Sequence, residues 1–150
     1  MSPVRILDLP ADRLEGDVVA ALYFADQRPP RGPCALLDWR LQDPLTRMLA
    51  QGRCTGQRGE NLLVENNGKL ASGWALFAGG GTWAGLEADG YQGLIAEVLE
   101  VCGRAGFRRV GLGLTPLPGM DVSALGQVVR QAEEQSPLPG GECLLAAEGG

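Results

Sequence analysis

Apolar runs of strand length alternate with amphipathic helical patterns along most of the chain. Residues 18–24 form a continuous apolar run, which is typical of a strand buried on both faces of a sheet. Shorter apolar runs predict five further strands, at residues 4–9, 62–64, 74–78, 110–114 and 142–147. Apolar positions at helical spacing predict helices at residues 37–49, 91–102 and 122–132. The predicted order is therefore β-β-α-β-β-α-β-α-β.

The turn signals between these elements refine the prediction. Pro44 should divide the first helical pattern into two short helices, with Asp43 as the N-cap of the second. The Asn67-Gly68 pair predicts a hairpin, while the alternating strands and helices that follow predict parallel crossovers. We therefore predict one domain over residues 1–150, an α/β fold with three αβα layers. Its mixed, mostly parallel sheet should have about six strands.

Composition narrows the class of protein. The chain has 150 residues, of which 45% are hydrophobic and 21% charged, as in ordinary globular domains. It contains no histidine, which excludes Ser-His-Asp and Cys-His catalysis and imidazole metal ligands. No apolar run approaches membrane length, and the first residues lack the apolar core of a signal peptide. We expect a cytoplasmic protein without membrane contact.

The cysteines predict neither a disulfide framework nor a zinc site, because no pair has the C-x-x-C spacing. Cys102 and Cys143 fall in apolar patterns and are expected in the core. Cys34 and Cys54 lie among arginines, which could lower a thiol pKa, but without a base partner we interpret them as structural. We expect no metal and no cofactor.

Charge is unevenly distributed. The net charge of −5 argues against nucleic acid as a partner. Residues 28–58 nevertheless carry six arginines against two aspartates, a local net charge of +4. Ordinary surface ion pairs explain this, and so does an arginine-lined face for an acidic partner, a phosphate or a carboxylate. The candidate interaction face consists of Arg28, Arg31, Trp39, Arg40 and Arg47. We expect Trp39, Trp74 and Trp83 to be buried, although Trp39 or Trp83 could instead stack on a base or form part of a partner surface.

A glycine-rich strand end is the strongest candidate for ligand contact. The residues concerned are Gly79, Gly80, Gly81 and Thr82, whose backbone N–H groups could face an anion at the carboxyl end of the sheet. A tight turn explains the same glycines. Gly111 and Gly113 form a second candidate phosphate segment, whereas Arg108 and Arg109 should lie at the opposite end of the sheet. No nucleophile, base and oxyanion donor come together, so we predict no catalytic residue.

Several segments resemble the amino-terminal domain of the leucyl (cytosol) aminopeptidase family. Residues 52–60, Gly-Arg-Cys-Thr-Gly-Gln-Arg-Gly-Glu, are similar to that family's G-x-F-x-G-K-x-G-E stretch, with Gln57 at the position of the lysine. The other similar segments match in order and spacing, at residues 18–24, 36–41, 45–49, 76–81, 91–102 and 106–110. Together the resemblance covers roughly residues 15–135.

The resemblance implies a fold like that of the macro domain. In that family a separate carboxyl-terminal domain binds two metal ions and carries the peptidase chemistry. No stretch of this chain is similar to that domain's Asn-Thr-Asp-Ala-Glu-Gly-Arg signature, so the resemblance implies no catalytic or metal-binding residue here. Two origins are then open, a stand-alone domain or a piece of a longer enzyme, and we expect the stand-alone domain.

Three hypotheses about function follow. The first is a non-catalytic interaction or regulatory module that binds a protein partner or forms a weak homodimer. The second is a binder of ADP-ribose or another nucleotide in a macro-like cleft, which rests on the implied fold and on Gly79 to Thr82. The third, an aminopeptidase, lacks the metal and catalytic residues.

Overall fold

A computed structural model describes residues 4–138 and 140–147, which form six strands and four helices around one sheet. The strands are β1 (Val4–Ile6), β2 (Val18–Tyr23), β3 (Asn61–Glu65), β4 (Trp74–Gly79), β5 (Arg109–Leu114) and β6 (Glu142–Ala147). The helices are α1 (Gly32–Arg40), α2 (Pro44–Ala50), α3 (Ala88–Arg104) and α4 (Val122–Gln135), with a 3-10 turn at Ala11–Arg13.

The sheet has the order β1-β6-β5-β2-β4-β3. All neighbouring strands are parallel except β3, which runs antiparallel to β4. The predicted mixed, mostly parallel sheet between helical layers is thus confirmed. Every residue of β2 is buried, as its uninterrupted apolar run predicts for a central strand.

Two apolar cores lie on opposite faces of the sheet. Alternate β2 residues divide between them: Ala20 packs in the core under α3 and α4, and Ala21 packs in the core under α1. Cys102 and Cys143 belong to the α3–α4 core, and Cys34 and Cys54 to the α1 core. Burial raises the pKa of the Cys34 thiol to about 12, so the neighbouring arginines do not activate it.

Three local predictions need correction or refinement. The first strand ends at Ile6 rather than residue 9, because the chain leaves the sheet edge toward the 3-10 turn after one further bond from Leu7 N–H to Leu145 O. The hairpin that Asn67-Gly68 predicts is confirmed, since β3 pairs antiparallel with β4, but its loop spans residues 66–73 and is longer than the two residues usual for this dipeptide. The Asn66 side chain organises that loop by accepting hydrogen bonds from three backbone N–H groups, those of Gly68, Lys69 and Leu70.

The third correction concerns the start of α2. Asp43 occupies the N-cap position, but it has a left-handed backbone (φ 65°) and its side chain makes no cap hydrogen bond. The buried Asp38 carboxylate supplies the cap instead. It accepts hydrogen bonds from the Leu45 N–H at 2.7 Å and from the Thr46 hydroxyl at 2.5 Å. A carboxylate at the end of α1 therefore fixes the start of α2.

No helix among the described residues is long and apolar enough to cross a membrane.

Candidate ligand-binding site

A cavity of about 240 Å³ opens at the carboxyl ends of the central strands β2 and β5. This is the edge at which parallel α/β sheets usually hold ligands. Leu22 and Phe24 line it from the end of β2, and Leu114 and Thr115 from the end of β5. The rest of the wall is formed by Gln27, Arg31, Pro33, Trp83, Tyr91, Gly113, Pro116 and Pro118.

A broader groove of about 760 Å³ adjoins this cavity and shares Trp83 and Pro118 with it. It lies between the segment that follows β4 and the segment that follows β5. Its other lining residues are Ala84, Gly85, Leu86, Glu87, Ala88, Leu117, Gly119, Met120 and Ala124. Cavity and groove together form one cleft. Its lining residues come from four segments of the chain, residues 22–27, 31–33, 83–91 and 113–124.

Three aromatic rings build the wall of the cavity. Trp83 packs edge-on against Phe24, with ring centroids 5.1 Å apart, and against Tyr91, with centroids 5.9 Å apart. The Tyr91 hydroxyl donates a hydrogen bond to Thr115 O at 2.7 Å, which ties α3 to the end of β5. Burial raises the pKa of Tyr91, so its phenol stays neutral. This aromatic part of the wall is therefore preformed and uncharged.

The glycine-rich strand end lies beside this cleft, with its N–H groups already engaged. Gly79 N–H donates to Glu60 O at 2.8 Å, Gly80 N–H to Tyr23 O at 2.9 Å, and Gly81 N–H to Gly56 O at 2.8 Å. Thr82 is exposed. Ligand contact by these four residues remains a prediction, and an anion could use the three glycine amides only by displacing backbone partners.

Close packing explains why the first two of these residues are glycines. A Cβ atom on Gly79 would lie 2.0 Å from Gln57 O, and one on Gly80 would lie 2.4 Å from the Phe24 ring. Gly81 has a positive φ of 81°, which side chains disfavour. Gly79 thus lets the end of β4 pass tightly against residues 54–60, and Gly80 lets the chain pass the Phe24 ring.

Glu60 holds that segment in place. Its carboxylate accepts hydrogen bonds from the Tyr23 hydroxyl at 2.7 Å, the Thr55 hydroxyl at 2.7 Å and the Gly56 N–H at 2.9 Å. Burial alone would raise the pKa of Glu60, but the bonds donated by Thr55, Tyr23 and Gly56 outweigh it and hold the pKa at about 2. The carboxylate therefore stays charged and organises the loop that engages Gly81.

Asp26 performs a similar role on the other side of the strand end. Its two carboxylate oxygens accept hydrogen bonds from the N–H groups of Trp83 and Ala84, each at 2.9 Å. These bonds hold the pKa of Asp26 below its ordinary value. An exposed carboxylate thus occupies the amides that follow the glycines and fixes the position of Trp83.

The structure divides the candidate interaction face rather than bringing it together. Arg31 is the N-cap residue of α1 and lines the cavity, whereas Trp39 and Arg40 end that helix, about 13 Å away along its axis. Arg40 pairs with Asp12 at 2.9 Å and lies over the Trp39 ring. The remaining two arginines contact backbone carbonyls, Arg28 that of Thr55 and Arg47 that of Gln42.

Three further site predictions can be compared with the structure. The expected burial of Trp39 is wrong, since its side chain is 67% exposed on the outer face of α1. Arg108 and Arg109 do lie at the opposite end of the sheet, where the Asp17 carboxylate accepts hydrogen bonds from both backbone N–H groups. The remaining two residues, Gly111 and Gly113, lie within β5.

These two strand glycines serve packing instead of forming a phosphate loop. A Cβ atom on Gly113 would lie 2.8 Å from both Ala11 and Pro33, so the glycine allows the 3-10 turn and α1 to approach the sheet. Gly113 still lines the cavity, and the segment that follows β5, which contains Gly119, lines the groove.

Sequence reasoning missed Asp26, Tyr91, Thr115 and Pro118 as site residues. One signal was available, because Asp26 comes three residues after the buried strand β2 and Thr115 directly after β5. Polar residues at those places lie at the ligand-binding edge of a parallel sheet.

Comparison of the sequence with protein-family models and with curated proteins found no match. Comparison with solved structures did. The macrodomain of Mycobacterium tuberculosis DarG is 12% identical, with a TM-score of 0.70 over 97% of this chain and 98% of that one. The Trypanosoma brucei macrodomain in complex with ADP-ribose is 20% identical, with a TM-score of 0.65 over 96% of this chain and 63% of that one.

The chain has a macrodomain-like fold. A tomato leucine aminopeptidase mutant is also similar, at 13% identity and a TM-score of 0.70. That match covers 100% of this chain but 33% of the enzyme, so the macrodomain-like chain spans about a third of the aminopeptidase's length. At these identities the likeness concerns the fold alone.

Proposed function

We propose that this macrodomain-like chain binds a nucleotide-type small molecule, of the ADP-ribose or ADP kind, in the cleft formed by the cavity and the groove. The observation that carries the proposal is the position of the cleft, at the carboxyl ends of the central strands and walled by preformed aromatic rings. The T. brucei macrodomain, which shares the fold, has been solved in complex with ADP-ribose and with ADP. The proposal is one of binding, without a catalytic step.

A thermal-shift panel tests this proposal, with ADP-ribose, ADP, AMP, NAD and adenosine as ligands. A ligand at 100 times its Kd stabilises the folded state by about 2.7 kcal/mol. For a chain of this size, that corresponds to an increase in Tm of about 5–10 °C.

A matched pair of variants locates the binding. Ala124 is exposed and lines the groove, so Ala124→Trp should fill the groove without disturbing a core and should abolish the shift. Ser123, its exposed neighbour on α4, is absent from the lining, so Ser123→Trp should keep the shift. The proposal would be contradicted if none of the five ligands changed the Tm of the wild type, or if the two variants showed equal increases in Tm.

A non-catalytic interaction module is the second candidate function. The exposed Trp39 ring with Arg40 above it favours this hypothesis, because tryptophan and arginine are enriched at protein interfaces. The contact surface would then be the carboxyl end of α1 rather than all five predicted residues. Kinship with the amino-terminal domain of leucyl aminopeptidases, which we also propose, is supported by the match to the tomato enzyme over the whole chain.

A further inference from the structure

Most backbone N–H groups of residues 79–84, beside the cleft, already have hydrogen-bond partners. The amides of Gly79, Gly80 and Gly81 donate to backbone carbonyls, and those of Trp83 and Ala84 donate to the Asp26 carboxylate. An anion placed against this segment would have to displace these partners and would also meet the charge of Asp26. Residues 79–84, at and after the end of β4, are therefore unsuited to hold a phosphate in this chain.

Arg31 is the alternative hydrogen-bond donor for an anion in the cleft. It is the charged residue in the lining of the cavity, whose other walls are aromatic, aliphatic or neutral polar groups. Among residues 4–138 and 140–147, no carboxylate lies within 4 Å of its guanidinium, in contrast to Arg40, Arg58, Arg104 and Arg109. An unpaired guanidinium beside low-dielectric walls attracts an anion and can bind it through two hydrogen bonds.

The groove on the other side of Trp83 has the opposite character. Most of its wall is apolar, including Leu86, Leu117 and Met120, and its charged lining residue is the acidic Glu87. A planar, uncharged ring could pack on this surface, whereas a phosphate there would be repelled by Glu87. The two parts of the cleft thus favour different parts of one ligand.

We infer that Arg31 is the anion-binding and specificity-determining residue of the cleft, and that the ligand is a phosphomonoester that carries a planar heterocycle, as a nucleoside monophosphate does. Its phosphate lies in the cavity beside Arg31, and its ring lies in the groove. The inference rests on the proposed function and adds a ligand class and an orientation to it. With one guanidinium available, a second phosphate gains no comparable partner.

The experiment compares the wild type with Arg31→Gln and with Arg53→Gln. Arg53 is an exposed arginine of the same basic segment that does not line the cleft, so the two variants change the charge equally. AMP and adenosine are titrated calorimetrically against each protein at three NaCl concentrations. Inorganic phosphate is added in a separate arm, read as a change in Tm.

Arg31→Gln should raise the Kd for AMP about 10- to 100-fold, the usual effect of losing a charged hydrogen bond. The Kd for adenosine should stay within about twofold of the wild-type value. The increase in Tm with phosphate should disappear, and the salt dependence of AMP binding should become weaker, because the lost contact is the ionic one. Arg53→Gln should leave all four results unchanged.

The outcomes separate the inference from the proposed function. If AMP or ADP-ribose binds the wild type and Arg31→Gln binds it equally well, the inference is wrong and the proposed function stands. Equal weakening of AMP and adenosine would also overturn the inference, since it would reveal a merely structural role for Arg31. If phosphate stabilises the wild type through Arg31 but no nucleotide binds, the ligand class and the proposed function both fail.

Discussion

At the scale of the residue, carboxylates that accept several hydrogen bonds position the loops around the cleft. Asp26 and Glu60 each accept from backbone N–H groups at the edge where β2 and β4 end. Asp38 does the same for the start of α2. Because each carboxylate links segments far apart in sequence or in separate elements, its charge state affects more than one loop.

Glu60 should therefore contribute pH-dependent stability. Its pKa in the folded chain is about 2, below its ordinary value of 4.5, so folding favours the charged form. The contribution is present above about pH 4.5 and is lost as the pH falls toward 2. At pH 7, Glu60→Gln should lower the free energy of unfolding by about 1–3 kcal/mol, since it removes the charged acceptor. The difference in Tm between wild type and variant should shrink as the pH falls from 5 to 2.5.

Glu65→Gln provides the control for this series. Glu65 is exposed on the edge strand β3, so its substitution should change Tm little at any of these values. A difference between wild type and Glu60→Gln that stays constant across the pH range would show that the loop does not depend on the charge of Glu60.

Single residues were the part of the site that sequence could predict least. Sequence singled out neither Asp26 nor Asp38, because the partners of a carboxylate depend on segments that only the fold brings close. Trp39 was expected to be buried, as large aromatic side chains usually are. It is exposed because the buried face of α1 is formed by Cys34 and Leu37, which follow a helical spacing that excludes residue 39.

At the scale of the element, periodicity was sufficient to predict the fold. The continuous run of β2 gave a central strand, and the apolar stripe of α3 gave a helix between parallel strands. Element ends were less predictable, since they depend on tertiary hydrogen bonds. The strand β1 ends early at the sheet edge, and α1 begins at Gly32, five residues before the predicted start at residue 37.

The end of β4 should be intolerant of any side chain. In Gly79→Ala the new Cβ would lie 2.0 Å from the Gln57 carbonyl oxygen, a backbone atom that cannot rotate away. Overpacking usually costs about 1–3 kcal/mol. We expect Gly79→Ala to lower the free energy of unfolding by about 3 kcal/mol or more, as measured by urea unfolding. A change at this position is therefore a poor probe of ligand contact, and so is a bulky residue at Gly80, which would meet Phe24.

Gly81→Ala is the matched comparison. No atom lies within 4 Å of the added Cβ, so the cost is limited to the left-handed backbone, about 1–2 kcal/mol. Should Gly79→Ala prove no more destabilising than Gly81→Ala, the segment formed by residues 54–60 would have to be looser than its hydrogen bonds indicate.

At the scale of the whole molecule, the cleft forms because parallel strands bring their carboxyl ends together. Sequence predicted that edge of the sheet and one glycine-rich strand end beside it. It could not predict that Arg31 from the start of α1, Trp83 from the β4–α3 segment and Tyr91 from α3 line one cavity. Such a convergence depends on loop conformations, which short-range patterns do not determine.

The sheet also separates two cores, and each contains two reduced cysteines. Cys34 and Cys54 lie in the core under α1, and Cys102 and Cys143 in the core under α3 and α4. All four thiols are buried, so a reagent reaches them only when their layer opens. The helices of the first layer have 9 and 7 residues, against 17 and 14 in the second.

We therefore expect pulsed alkylation in native buffer to modify Cys34 and Cys54 before Cys102 and Cys143, as read by peptide mass spectrometry. The chain in concentrated urea, where all four thiols are accessible, provides the reference rate for each site. A single common rate for the four sites in native buffer would instead mean that both layers open in one cooperative event. The alkylation rates of the two cysteine pairs thus report separately on how often each side of the sheet opens.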